Sequence, residues 1–421
     1  MELVEEIERQ NLHWRGRKLS EDTMERYLEN SIKDELDEDI ITAITGMRQV
    51  GKTTLVRRII DMLVEDNRPE NILYYSFDIE KVSVRNLIET YFREIRNEDV
   101  EEAEKTYVFL DEVQKTEDWG DHVKSYHDTY DNLKFIVTGS SSANIRKGGG
   151  ESLVGRISLH QLFPFTFREF LRYKGIKVPE RDFGGFERPK NARKIRNVFE
   201  EYMKTGGFPG LLEFEDTKRL ERLKDIIDLS LYRDVVEIHG IGRPELLEGL
   251  FKIFSANSGQ IISYNKISKD LNAQYRTVKK YIESLRSSFL ISISRRFENS
   301  VFKQYRKSPK IYVSEHSFCR MENTKEGLIA ETMAFNHLKT IGNLGHFREE
   351  KKEVDIVLEK NNELKGFEVK YRKDIGKKDF RGLKAFSETY PDAETFMLTR
   401  DERGKEKGVR KIPLWLFLLH I

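Results

Sequence analysis

Cysteine occurs once, at position 319, in a chain of 421 residues. One thiol closes no intrachain disulfide and builds no cysteine-rich zinc site. Long apolar runs are missing as well. The strongest, Pro413 to Leu419, falls far short of the roughly 20 residues that cross a bilayer. The opening MELVEEIERQ is acidic and amphipathic, where a secretory signal is basic and then apolar. These absences argue against a membrane-embedded or disulfide-stapled protein and lead to the expectation of a soluble, cytoplasmic one. The nine histidines form no cluster, no HExxH and no Ser/His/Asp order, so metalloprotease and serine-hydrolase chemistry find no support. Net charge is also nearly absent, at +1, but it is unevenly spread. Residues 1–45 hold 13 acidic and 6 basic side chains; residues 265–287 hold 6 basic against 2 acidic, and residues 295–320 hold 7 against 2. A basic stretch of this kind is either a solvated lysine-rich surface or a contact for a polyanion.

The length allows two to four domains at roughly 100–200 residues each. After about 40 mostly helical residues, broken near Trp14–Gly16, apolar runs alternate with helical periodicity. The strand-like runs are Ile40–Thr45, residues 71–79, Tyr107–Val113, Leu133–Gly139 and Arg156–Phe163. Helical stretches follow at Lys52–Glu65, Val84–Arg96 and Asp118–Tyr130. Such alternation predicts an α/β fold of βαβ units, with a parallel sheet and helices on both faces. Gly148–Gly150 reads as a flexible loop. The expected division is residues 1–165 for this domain, 166–240 for a helical lid, 241–320 for three helices and a β-hairpin, and 321–421 for a mixed α/β domain. That last domain is expected to end in a buried strand over Ile412–Leu419.

Gly46-Met47-Arg48-Gln49-Val50-Gly51-Lys52-Thr53, followed by Thr54, fits G-x-x-x-x-G-K-[ST] without departure. It follows a strand-like run and opens a helix, as its mechanism requires. The glycines let backbone N–H groups turn inward around phosphates, and the helix N-terminus adds its positive dipole end. Lys52 then reaches the β- and γ-phosphates of ATP, and Thr53 ligates Mg²⁺. The partner acid is Asp111, at the end of the apolar strand in YVFLDEVQ. Glu112 is placed to orient the attacking water. Thr138 or Ser140, in TGSS, is placed to meet the γ-phosphate or that water.

Two further patterns lie downstream. Residues 265–271, the turn Asn272-Ala273 and residues 274–288 read as helix, turn, helix, with Val278, Tyr281, Ile282 and Leu285 on the core face. Gln274, Tyr275, Arg276, Lys279 and Lys280 are left opposite, where a recognition helix meets the major groove of duplex DNA. A hairpin of residues 289–295 and 310–314 makes this a winged helix, with Arg306, Lys307 and Lys310 at its base or tip, placed to meet phosphates. The alternative is a winged helix used only for packing. Then Glu331 on a helix, Asp355 in EVDIVLE, and Glu368 and Lys370 in GFEVKYR fit the PD-(D/E)xK nuclease pattern. A hairpin turning at Lys360–Glu363 brings Asp355 beside Glu368. Alternate strand residues put Glu368 and Lys370 on one side. Asp355, Glu368 and Glu331 are then expected to bind a second Mg²⁺ in a shallow, solvent-open cleft, with Lys370 orienting water. The alternative is a fold kept for binding, without cleavage.

The order of phosphate loop, intervening strand, DE strand and polar strand resembles the AAA+ ATPases. By that resemblance Arg156, in GRISL, takes the arginine-finger position that completes a neighbour's site in a homo-oligomer, and Arg233 serves as a lid arginine. The alternative for Arg156 is a salt-bridged surface residue. Over nearly its whole length the chain is similar to archaeal and bacterial AAA+ ATPases of the origin-recognition-like branch that carry a restriction-endonuclease-like C-terminal domain. The residues that carry this are GMRQVGKT, VFLDEVQ, IVTGSSS, GGFPG, LYRDVVEIHG, KSPKIYVSE, EGLIAE, EVDIVLE and FEVKY. SEHSF at 314–318 departs from relatives, which carry Asp and then Gly-Leu there. The resemblance implies ATP binding and hydrolysis with Mg²⁺, acting on DNA. The competing expectation is a slow ATP-driven signalling switch whose C-terminal half binds a protein.

Overall fold

The computed structural model describes residues 2–20, 23–78, 82–140, 153–182, 184–298 and 301–421, the side chains of 301–303 excepted. The expected loop at Gly148–Gly150 lies outside the described residues. Two compact units result, Met1–Phe163 and Pro164–Ile421. Among the described residues no helix is long and apolar enough to cross a membrane.

The first unit is built on five strands, β1 (Ile41–Thr45), β2 (Ile72–Ser76), β3 (Thr106–Asp111), β4 (Leu133–Gly139) and β5 (Ile157–Gln161). All pair in parallel, in the spatial order β2-β3-β4-β1-β5. β1 to β4 are buried along their whole length, which is why they read as unbroken apolar runs. β5, at the edge, is half-exposed. The chain leaves β1, crosses past β4 and β3 to β2, and works back. The reversal of direction beside β1 makes the carboxyl ends of β1, β3 and β4 the natural ligand edge. The N-terminal helix Glu2–Gln10 stops short of its expected length, giving way to a single tight turn, Leu12–Arg15, that ends on the left-handed Gly16.

The second unit holds a nine-stranded mixed sheet. Its strands are β6 (Gln260–Ile261), β7 (Ile291–Arg296), β8 (Lys310–Val313), β9 (Asn343–Glu349), β10 (Lys352–Lys360), β11 (Glu363–Lys370), β12 (Glu394–Thr399), β13 (Gly404–Glu406) and β14 (Val409–Pro413). The order is β13-β14-β12-β11-β10-β9-β7-β8-β6. The segments expected to be a lid, a hairpin domain and an α/β domain therefore share one unit. β7 joins β9 in parallel through Arg295–Gly345 and Arg296–His346. The helices Phe167–Tyr173 and Ala192–Thr205 are tied in as well: Tyr202 packs edge-on against His316 and His337, and Arg168 donates to the carbonyl of Leu419.

The expected C-terminal strand is half wrong. β14 ends at Pro413, and Leu414–His420 is a buried helix. A short apolar run does not distinguish a buried strand from a buried helix. Pro413, which lacks an N–H, sits at the N-cap where the change occurs.

Candidate functional sites

β1 feeds the phosphate-binding loop. Gly46 has φ 152°, and a Cβ there would fall 2.3 Å from the carbonyl oxygen of Leu162. Gly51 has φ 98° and caps the helix Lys52–Asp66. Both positions exclude a side chain for reasons of backbone geometry. Leu55, Val56, Ile59, Ile60 and Leu63 bury one face of that helix and fix where its N-terminus points. Met47 and Val50 are buried under the loop, while Gln49 and Thr54 are exposed and Arg48 is half-buried.

Lys52 is only 5% exposed; its Nζ donates to the carbonyls of Gly46 at 3.0 Å and Met47 at 3.3 Å. It also lies 3.5 Å from Glu112 Oε1. Thr53 Oγ1 donates to Asp111 Oδ2 at 2.7 Å, and Tyr74 Oη donates to the same oxygen at 3.2 Å. A threonine hydroxyl and a carboxylate side by side, next to a ring of backbone N–H groups, fit a hard divalent ion. Thr138 takes a different part from the expected one. Its hydroxyl donates to Asp111 Oδ1 and accepts from the Glu112 backbone N–H at 3.0 Å. It therefore fixes the two acids and is not free for a phosphate. Glu112 sits at φ 56°, which swings its side chain out of the strand direction. Gln114 donates both to Glu112 Oε2 and, at 3.3 Å, to Ser140 Oγ. Ser140 thus stands behind Glu112, holding the residue that holds it.

Arg26 has no motif to announce it. It is 5% exposed and donates to the carbonyls of Val50 at 2.8 Å and Phe163 at 2.7 Å, bracing the loop from behind. Arg156 pairs with Asp128 of its own chain at 2.6 Å, both side chains partly exposed. Arg233 is exposed in the second unit.

In the second unit, Val278, Tyr281, Ile282 and Leu285 bury one face of the helix Tyr275–Ser287. Gln274, Tyr275, Arg276, Lys279 and Lys280 lie exposed on the other. Tyr275 is 45% and Tyr305 64% exposed. Tyr264 packs against Tyr275 at 6.3 Å, and the Arg295 guanidinium lies over Tyr305 at 4.1 Å. A short helix, Val301–Arg306, interrupts the expected hairpin; Arg306 at its end and Lys307 just after it are exposed. Lys310 is not at a tip at all; it is buried.

The acidic residues meet in the same unit. β10 and β11 form a hairpin through Asn361 and Asn362, both at positive φ, the turn chemistry that suits two-residue loops. An irregularity in β10 between Val354 and Val357 aims Asp355 toward β11. Asp355 Oδ2 accepts from the Val369 N–H at 3.0 Å, and Lys370 Nζ bonds Glu368 Oε1 at 2.5 Å and lies 3.9 Å from Asp355. Glu331 comes from the helix Glu326–Leu338 and accepts from Tyr312 Oη at 2.8 Å. The structure thus brings Glu331, Asp355, Glu368 and Lys370 together.

The expected open cleft is absent, however. Glu331, Asp355 and Glu368 are 6–8% exposed. The cause is β8, which inserts Lys310 among them. Its Nζ lies 3.0 Å from Glu331, 3.0 Å from Asp355 and 2.8 Å from Glu353. Burial, with Asp355 nearby, pushes the Glu331 carboxyl up to about 7. The same two causes push Glu368 up to about 8. Burial alone would raise Asp355, but Lys310 and Lys370 outweigh it and hold that carboxyl below the usual range. Lys310 and Lys370 already pair with these carboxylates, and no group of three acidic, His or Cys side chains among the described residues is arranged to hold a metal ion. The residues therefore do not fit the expected second Mg²⁺.

Comparison with known proteins bears on the first site. Residues 38–171 match the family described as AAA domain. Residues 196–325 and 326–417 match two families each described as a domain of unknown function (DUF8612 and DUF4143). An uncharacterized protein of Methanocaldococcus jannaschii is 27% identical over 424 residues, covering 94% of this chain and 91% of its own length. An uncharacterized protein of Haemophilus influenzae is 24% identical over 357 residues, covering 81% and 84%. Among solved structures, the Walker-type ATPase of Pyrococcus abyssi is similar at 16% identity and TM-score 0.44, over 73% of this chain and 98% of that one. AMPPCP-bound DnaA of Aquifex aeolicus is similar at 16% identity and TM-score 0.28, over 62% and 86%. With its parallel five-stranded sheet and phosphate-binding loop, the first unit has the fold of an AAA-type P-loop ATPase domain.

Proposed function

We propose that the protein is a Mg²⁺-dependent ATPase that works on duplex DNA through its second unit and does not cut it. The observation that carries the ATPase reading is the convergence of Lys52, Thr53, Asp111 and Glu112 at the carboxyl edge of one parallel sheet. Lys52, now spending its ammonium on loop carbonyls and Glu112, has γ-phosphate oxygens as its better partners once ATP enters. That transfer frees Glu112 to accept a proton from, and so orient, the attacking water. Gln114 and Thr138 hold Glu112 and Asp111 in place for this. Thr53 and Asp111 would hold Mg²⁺, which offsets phosphate charge when bound.

The DNA reading rests on the helix Tyr275–Ser287, read as the recognition helix of a winged helix. Arg276, Lys279 and Lys280 are exposed along it, with Tyr275 exposed beside them and Arg306 and Lys307 exposed nearby in sequence. None of these five basic residues has an acidic partner among the described residues, whereas Arg286 on the same helix pairs with Glu283. Unpaired cations beside exposed aromatics suit a phosphate backbone. Arg156 acts between subunits in this reading: its pair with Asp128 is solvated and weak, so it exchanges partners at little cost. The test is binding of the full chain to duplex DNA across a salt series. A steep fall in affinity with salt supports the reading. A slope near zero favours instead a signalling switch whose second unit binds a protein.

A further inference from the structure

We infer that the ammonium of Lys310 stands in for the divalent cation in the carboxylate cluster of the second unit, so that this site binds no metal ion while Lys310 is present. Lys310 Nζ donates to Glu331 Oε1 and Asp355 Oδ1, both at 3.0 Å, and lies 2.8 Å from Glu353 Oε1 in an ion pair. The nitrogen sits between Glu331, Asp355 and Glu353, so its positive charge already occupies the space that an ion shared by those carboxylates would take. Lys370 completes the arrangement on the far side of Asp355, through Glu368 at 2.5 Å.

Space decides the matter as much as charge. Mg²⁺ retains several waters and holds its ligands at about 2.0–2.1 Å. Lys310 is 1% exposed and Glu331 and Asp355 are 6–8% exposed, while Glu353 reaches solvent at 30%, so the ammonium fills the buried side of the cluster that a hydrated ion would need. Other groups crowd the Glu331 side of the cluster. Tyr312, two residues on along the same strand, bonds Glu331 and stacks on Phe335 with ring centroids 3.8 Å apart. Opposite, a Cβ on Gly259 would fall 2.7 Å from Glu331 Oε1.

Nor is the lysine loosely placed. Its backbone is paired on both edges, with Ile261 of β6 and Ser294 of β7. Withdrawing it means unzipping β8 from the sheet. The lysine comes from the segment that carries the basic helix, and the acids from the segment that follows. A cationic side chain from one thereby fastens it to the other, in the role a structural metal plays elsewhere.

The experiment is a Mn²⁺ titration of the nucleotide-free full chain, followed by electron paramagnetic resonance, for wild type, Asp355→Asn, Lys310→Ala and the double variant. Comparing each protein with its Asp355→Asn counterpart removes any weak binding at the phosphate loop. Wild type and Asp355→Asn are expected to titrate alike. Lys310→Ala is expected to gain one Mn²⁺ site, at least tenfold tighter than any background binding and lost in the double variant. An Asp355-dependent Mn²⁺ site in the wild type overturns the inference, as does a folded Lys310→Ala protein that gains none. Should Lys310→Ala fail to fold, the wild-type and Asp355→Asn comparison decides by itself: an extra site in the wild type refutes the inference, and matching titrations uphold it.

Discussion

Thr53 gives its hydroxyl proton to Asp111 across 2.7 Å, although 58 positions separate the two residues. The contact joins the first turn of the helix Lys52–Asp66 to the end of β3 and sets side by side the two oxygens proposed to hold Mg²⁺. Catalysis of this kind depends on groups already held in position. Lys52→Ala is expected to weaken ATP binding at least tenfold in a fluorescent-nucleotide titration. Glu112→Gln is expected to bind ATP nearly as wild type does and to lose about 10²–10³-fold in turnover, since it keeps shape and loses the base. Unchanged turnover in Glu112→Gln would remove the water-orienting role.

Arg26 offers a second check, because it holds the loop through the Val50 carbonyl and lies outside the loop's own sequence. Arg26→Met keeps the apolar stem and removes the donors to Val50 and Phe163. The buried Val50 carbonyl loses a donor, which costs on the order of 1–3 kcal/mol, and the half-buried Phe163 carbonyl loses one at less cost. The midpoint of chemical denaturation should fall, and ATP affinity should fall with it. Normal affinity in a destabilised protein would show that the brace serves folding alone.

The phosphate loop was legible in the sequence because its chemistry is local: eight consecutive residues carry it, and the strand and helix around them announce themselves by their apolar spacing. Asp111 and Glu112 were legible for the same reason. Arg26, Gln114 and Lys310 were not. Each bonds at least one residue distant in sequence, Gln114 reaching Ser140 as well as its neighbour Glu112, and a lone Arg or Lys in a charged chain gives no signal of where its head group ends. Lys310 misled outright, since a lysine among other basic residues reads as surface. The hairpin Asp355–Glu368 was read through its turn and its spacing, but burial depends on what packs over it, and β8 lies 45 residues upstream of Asp355. Pro413 marked the end of a strand correctly in hindsight, yet the apolar residues after it fit either helix or strand.

If Arg276 and Lys280 meet phosphates, each contributes about one unit to the slope of log affinity against log salt. Arg276→Ala and Lys280→Ala should each flatten that slope by roughly one unit and weaken binding to all duplex sequences alike. Loss at one sequence only, with the slope unchanged, would instead indicate contacts to base edges.

Arg156 makes a prediction about assembly. Arg156→Ala and Lys52→Ala proteins, each inactive alone, should regain part of the ATPase rate when mixed, because intact loops then meet intact arginines across a subunit boundary. No recovery at any ratio, with a monomer in sedimentation, refutes the shared site.

His337 ties stability to pH. Its ring is buried: Nδ1 donates to the Met333 carbonyl at 2.8 Å, and Nε2 accepts from the Phe167 N–H at 2.8 Å. That second bond requires the neutral ring. Burial lowers the folded value to about 4, with His316 adding to the effect and Glu169 opposing it. In the unfolded chain the ring titrates near 6.5. Between those values the unfolded state binds the extra proton, so this contribution is complete above about pH 6.5 and is lost as pH falls toward 4. The full swing is about 3 kcal/mol, at 1.36 kcal/mol per pKa unit. Glu331 and Glu368, with carboxyls pushed up to about 7 and about 8, act in the opposite sense, because there the folded state holds the proton. The wild-type profile alone is therefore a sum of opposing slopes, and the informative quantity is a difference. His337→Gln retains an oxygen that accepts from Phe167 and removes the titration. Its loss of stability relative to wild type should be greatest at pH 7 and should shrink by roughly 1 kcal/mol per pH unit between pH 6 and 4.5. A difference that stays constant across that range would mean that His337 is not the group being protonated.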